Sequence, residues 1–120
     1  MTDRKASIER KTKETNIEVT VNLDGGNSLI ETGIPFFTHM LEQLAKHSGM
    51  GLLINSVGDL EVDAHHTVED VGISIGEAFN NALGEKLGIR RFSSVSVPLD
   101  EALIDVALDI SGRAFCNYEV

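Results

Sequence analysis

The chain has 120 residues, enough for one domain with a modest core, and its 42% hydrophobic and 24% charged residues suit a soluble globular protein rather than a disordered one. A formal net charge of −9 and a pI of about 4.7 speak against a nucleic-acid or anionic-membrane surface, since either needs clustered Lys and Arg. A single cysteine, Cys116, excludes an intrachain disulfide, and no signal-like apolar stretch follows Met1-Thr2-Asp3-Arg4-Lys5 nor does any segment approach the ~20 apolar residues of a membrane span, so a cytoplasmic protein is expected.

The first elements read as strands. Ile17, Val19, Val21 and Leu23 alternate with Glu18, Thr20 and Asn22, the period of a half-buried strand, and Lys5 to Lys11 is a plausible partner. Asp24-Gly25-Gly26-Asn27 follows as a turn, from which Ser28 to Glu31 can return as a short strand. A helix comes next. Phe36, Met40 and Leu44 fall on one i, i+4 row and Phe37, Leu41 and Ala45 on the row beside it, with Pro35 in the first turn and Ser48-Gly49 as the stop.

Strand-like runs at Leu52 to Val57 and at Leu60 to Asp63 flank Gly58. A second helix is expected from about Thr67, with Val68, Val71, Ile75, Ala78, Phe79 and Ala82 on one stripe and an end near Gly84 or Gly88. Beyond Arg91, Val95 and Val97 alternate up to Pro98, Asp100-Glu101 reads as a turn, and Ala102, Ile104, Val106, Leu108 and Ile110 give the cleanest alternation in the chain. Ala114 to Val120 reads as a last extended piece. The order is that of an α+β sheet with helices. Its final strands have no following helix to cover them.

The chemistry-bearing residues concentrate in the middle. All four histidines lie between His39 and His66, and Glu69 stands four residues from His65 and three from His66. On a helix those offsets put a carboxylate beneath either imidazole, a nitrogen and oxygen donor set suited to a divalent ion such as Mn, Fe or Zn. Adjacent histidines point about 100° apart on a helix, so the pair suits two metals, or one metal and a supporting role. An isolated His pair would read as an ordinary helix start; Glu69, with Asp63 and Asp70 flanking, favours metal binding. His39 and His47 share the first helix but stand roughly 12 Å apart along its axis, so they belong to different sites or one is incidental. Arg90-Arg91 after Gly88-Ile89, and Arg113 after Ser111-Gly112, are placed to reach a phosphate, though a lone arginine often serves only solvation.

Taken in order, Arg10-Lys11-Thr12-Lys13-Glu14-Thr15, Leu23-Asp24-Gly25, Phe36-Phe37-Thr38-His39-Met40-Leu41, Gly58-Asp59-Leu60, His65-His66-Thr67-Val68-Glu69-Asp70, Pro98-Leu99-Asp100-Glu101-Ala102-Leu103 and Asp109-Ile110-Ser111-Gly112-Arg113 resemble the imidazoleglycerol-phosphate dehydratase family over essentially the whole chain. The resemblance implies a sheet with two helices packed on one face, ribosomal S5 domain 2-like, built as a duplicated half-domain. Residues 1–90 would be the first repeat, carrying the His-His-x-x-Glu cluster, and 91–120 the opening strands of an incomplete second. It implies a hydro-lyase of histidine biosynthesis that dehydrates imidazole glycerol phosphate to imidazole acetol phosphate, with Mn as cofactor (Fe or Zn being possible). Carried over by motif, His39, His65, His66 and Glu69 are metal ligands, with Glu69 and His65 also catalytic. Glu14, His39, His47, His65, Glu69, Arg91 and Arg113 are the expected substrate contacts. A homo-oligomer is implied, a 24-mer in the family. Thr38 departs from the pattern, an acidic or amide residue commonly preceding the histidine, so an altered helix start is expected. Only one His-His-x-x-Glu cluster is present. A non-catalytic metal-binding or assembly module, and a structural α+β domain with incidental histidines, are the competing readings.

Overall fold

The alternation around Ile17 builds the central strand of a sheet. In the structure, a computed structural model describing residues 3–120, β1 (Lys5–Lys11) and β2 (Thr15–Asn22) form an antiparallel hairpin with Ile8 opposite Val19. After β3 (Leu29–Glu31) and helix α1 (Pro35–Ser48), β4 (Gly51–Gly58) pairs antiparallel with β2, giving the order β1-β2-β4-β3. Helix α2 (His65–Leu83) follows, and then the hairpin of β5 (Phe92–Leu99) and β6 (Ala102–Asp109). The chain divides into two units, Met1–Glu85 and Lys86–Val120.

In the first unit the strand period decides what is inside. Ile17, Val19 and Val21 of β2, Leu52 and Ile54 of β4 and Ile30 of β3 point to one face and are buried there beneath Leu41 and Ala45 of α1 and Val71 and Ala78 of α2. Both helices therefore cover the same face of the sheet. The opposite face carries Glu18, Asn55 and the hydrogen-bonded pair Ser7 and Thr20, whose hydroxyls are 2.7 Å apart. Gly49 ends α1 in the left-handed conformation, φ 73°, and its N–H reaches the Ala45 carbonyl at 3.1 Å, so the stop requires glycine.

Several expectations need correction. The strand after the Asp24–Asn27 turn does not return to β2; β3 lies parallel to β4 at the far edge, because β4 takes the inner position beside β2. Between the two rows on α1, which the spacing alone leaves equal, the core takes Phe37, Leu41 and Ala45, while Phe36, Met40 and Leu44 are exposed. Leu60 to Asp63 is a turn rather than a strand: the N–H groups of Val62 and Asp63 both bond back to the Asp59 carbonyl. Helix α2 starts two residues earlier than expected, at His65, whose N–H is taken by Asp63 Oδ1 at 2.7 Å. Val68 is exposed; Thr67, Asp70 and Ser74 are the polar members of the buried stripe. Ala114 to Val120, expected as an extended piece, forms no strand. At the Thr38 departure, α1 starts without a side-chain cap, and the Thr38 hydroxyl pairs instead with Thr32 Oγ1 at 2.8 Å.

In the second unit, Val95 faces Val106, Val97 faces Ile104 and Leu99 faces Ala102, so the hairpin has one apolar side. No residue of this unit is buried. The two hairpins close alike. Leu23 donates its N–H to the Arg4 carbonyl and Ile110 donates to that of Arg91, while the guanidiniums pair with Asp24 and Asp109 respectively. A positive-φ glycine, Gly25 or Gly112, follows each closure. No helix among the described residues is long and apolar enough to cross a membrane.

Candidate metal and dehydratase site

Two connections meet at one end of the sheet. The loop between β1 and β2 presents Glu14, and the Asp59–Ala64 connection leads from β4 into α2; they are tied by the Asp59 N–H, which donates to the Glu14 carbonyl at 3.0 Å. Helix α2 begins beside them, so Glu14, His65, His66 and Glu69 share this end of the fold. The helix separates the two imidazoles, as the 100° step requires. His65 Nε2 lies 3.3 Å from Glu69 Oε2, one turn on, and both side chains are well exposed. His66 turns away and sets Nδ1 2.9 and 3.1 Å from the two oxygens of Asp59. The rings stand edge-to-face with centroids 5.5 Å apart.

The electrostatics follow the geometry. The Asp59 hydrogen bond holds the His66 imidazole above its ordinary pKa; partial burial opposes this, and the charges of Asp59, Glu14 and Asp70 add to it. One turn inward, Asp70 Oδ2 accepts the Thr15 hydroxyl at 2.6 Å and Oδ1 accepts Arg10 Nε at 3.0 Å. The Thr15 bond, aided by Arg10 and against the pull of burial, keeps the Asp70 carboxyl below the usual carboxylate range. Asp70 therefore ties β1 and β2 to the helix that carries His65, His66 and Glu69.

A divalent ion can be tested against these donors. Two ligands of one ion, each about 2.1 Å from it and roughly 90–110° apart, stand roughly 3.0–3.4 Å from one another. The 3.3 Å between His65 Nε2 and Glu69 Oε2 meets that condition. Imidazole nitrogen with carboxylate oxygen is a suitable donor chemistry for Mn, Fe or Zn. The fit is to part of a coordination shell: among the described residues no three His, Cys, Asp or Glu side chains converge as a metal group. The four expected ligands are thus not one cluster. Glu69 partners His65 and not His66, and His39 and His47 sit exposed on α1 without a hydrogen bond or ion pair among the described residues.

Arg91 and Arg113 belong to the second unit. Arg91 is engaged by Asp109, with Nε at 2.6 Å from Oδ1 and Nη2 at 3.1 Å from Oδ2, and its guanidinium lies 4.8 Å from the centre of the Phe92 ring. Arg113 follows a turn in which the Ser111 hydroxyl accepts its N–H at 3.1 Å. Sequence reasoning missed the roles of Asp59, Asp70, Thr15 and Arg10. For Asp70 a signal existed: with Ser74 and Ala78 it lies on an i, i+4 row, so a carboxylate shares the inner face of the helix. Asp59 has no helical spacing to His66, because a turn separates them; only the Gly58-Asp59 pair marks it.

Comparison with known proteins gives a consistent result. Residues 32–120 match the family model described as imidazoleglycerol-phosphate dehydratase. The chain is similar to the imidazoleglycerol-phosphate dehydratase of Oceanobacillus iheyensis, 57% identical over 118 residues, covering 98% of this chain and 61% of that protein. It is also similar to the histidine biosynthesis bifunctional protein HisB of Legionella pneumophila, 56% identical over 117 residues, covering 97% of this chain and 33% of that one. Among solved structures, the imidazoleglycerol-phosphate dehydratase of Staphylococcus aureus superposes with a TM-score of 0.81 at 33% identity, over 92% of this chain and 60% of that chain. The Pyrococcus furiosus enzyme, solved with (S)-C348, gives 0.80 at 37% identity over 94% and 60%. The chain therefore spans between a third and about three-fifths of the length of these relatives.

Proposed function

The chain belongs to the imidazoleglycerol-phosphate dehydratase family, and from that membership we propose that it acts in the dehydration of imidazole glycerol phosphate to imidazole acetol phosphate, contributing part of a divalent-metal centre. The observation that carries this reading is the His65–Glu69 pair, a nitrogen and an oxygen donor 3.3 Å apart on one exposed turn of α2.

Elimination of water removes a hydroxyl from one carbon of the glycerol side chain and a proton from its neighbour. His65 with Glu69 would hold one divalent ion and His66, facing away from that pair, a second, with His39 and further donors completing the shells. The ion, when bound, supplies a Lewis acid for the substrate imidazole and lowers the cost of its ring deprotonation. Glu69 moves the carbon-bound proton, which leaves with the hydroxyl as water, and His65, 3.3 Å from that carboxylate, sets its direction. Glu14 and His47 contact the substrate's polar groups. In the second unit, Arg113 and the remaining donors of Arg91, whose guanidinium plane Asp109 fixes, suit a phosphate group. The matched closure of the two hairpins supports the reading of residues 91–120 as the opening of a second repeat, on the pattern of 1–90.

The test is turnover of imidazole glycerol phosphate by the chain with Mn²⁺. Formation of imidazole acetol phosphate, reduced about 10²-fold or more in Glu69→Gln, is expected for loss of a proton-transfer group. The presence of one His-His-x-x-Glu cluster rather than two supports, as a second reading, a metal-binding or assembly module without catalysis. That module would bind Mn²⁺ and give no product.

A further inference from the structure

The role of Gly58-Asp59 is not exhausted by shape. We infer that Asp59 is a positioning residue that fixes the ring tautomer of His66 and so presents its Nε2 as the free donor. The inference rests on the metal-site reading above.

Asp59 is itself held by the backbone on both sides. Its N–H donates to Glu14, and its carbonyl accepts from Val62 and Asp63, so the residue is pinned at the end of β4 before its side chain does anything. The side chain is only 17% exposed and gives both oxygens to one nitrogen, His66 Nδ1. A ring nitrogen facing two carboxylate oxygens carries the proton, because a lone pair there would meet two acceptors. In the neutral ring the other nitrogen, Nε2, then keeps its lone pair. A carboxylate behind a metal-binding imidazole orients the ring and raises its basicity in this way.

Gly58 supplies the approach. A Cβ at this position would collide with Thr67 Oγ1, so the absence of a side chain lets the first turn of α2 close on the end of β4 and brings His66 within reach of Asp59. His65 has no such support. Among the described residues its polar side-chain partner is Glu69, on its own helix. The adjacent histidines are thereby set to different tasks: His65 shares its face with a carboxylate, and His66 is aimed from behind.

The experiment compares the full chain with Asp59→Asn and Asp59→Ala. Ring ¹⁵N chemical shifts of His66 are read at pH 8.5 without metal, and Mn²⁺ affinity is read by titration. Wild type is expected to show His66 protonated at Nδ1. In Asp59→Asn the amide can donate to Nδ1 and shift the population toward the Nε2-protonated ring, and both variants are expected to bind Mn²⁺ 10- to 100-fold more weakly. Circular dichroism matching wild type separates this from loss of fold; a misfolded variant moves the test to Asp59→Glu, which keeps the acceptor and is expected to retain the Nδ1 proton. A wild-type ring protonated at Nε2, or a tautomer unchanged in Asp59→Asn, overturns the inference. Wild type that carries the Nδ1 proton yet binds no Mn²⁺ overturns the metal-site reading instead.

Discussion

At the scale of single residues, the buried carboxylate of Asp70 makes the stability of the first unit depend on pH. Thr15 and Arg10 stabilise its charged form in the folded chain, so its folded pKa lies below the unfolded carboxylate value of about 3.9. A depressed pKa contributes stability that is fully present above the unfolded value and is lost as pH falls through the folded one. Asp70→Asn is expected to cost about 1–3 kcal/mol near neutral pH, through the loss of charge-assisted bonds and the partner groups left behind. The difference from wild type should narrow as pH drops below about 4, which urea denaturation across pH would measure. Asp24 and Asp109 are also held low by Arg4 and Arg91, but these pairs are exposed and screened by salt.

Between elements, the junction of β4 with α2 positions the site. Gly58 and Thr67 pack so closely that a methyl group at 58 must displace the helix start. Gly58→Ala is expected to destabilise the chain by about 1–3 kcal/mol, the usual range for overpacking. Because Thr67 Oγ1 is buried without a hydrogen-bond partner among the described residues, Thr67→Ala removes the colliding atom at little cost, and the double variant should recover most of the loss. Denaturant midpoints of the two single variants and the double complete that cycle. Strand β2 was legible in the sequence because one-sided burial writes a period of two into Ile17 to Val21, and β6 because apolar residues alternate from Ala102 to Leu108, although that strand is exposed. What could not be read is non-local. The parallel seat of β3 depends on β4 claiming the place beside β2, and the two apolar rows of α1 have nearly the same spacing, so only the tertiary contact selects Leu41 and Ala45 over Met40 and Leu44.

For the whole molecule, the first unit holds every buried apolar side chain of the described residues, and the second presents Val95, Val97, Ile104 and Val106 exposed on one side of a hairpin. Family membership was legible from the ordered motifs, since His65-His66 with Glu69 fixes a helical donor pair that the fold then displays. The supporting residues were not, because Asp59 and Arg10 reach the site across turns and strands rather than along a helix. The central claim is that this helix start binds a divalent ion through His65 and Glu69. Mn²⁺ binding followed by electron paramagnetic resonance, in wild type and in His65→Ala, tests it most directly. Saturable binding in wild type, weakened at least tenfold in His65→Ala with the fold intact, is the expected result. Mn²⁺ that does not bind, or binds equally well without His65, would contradict it.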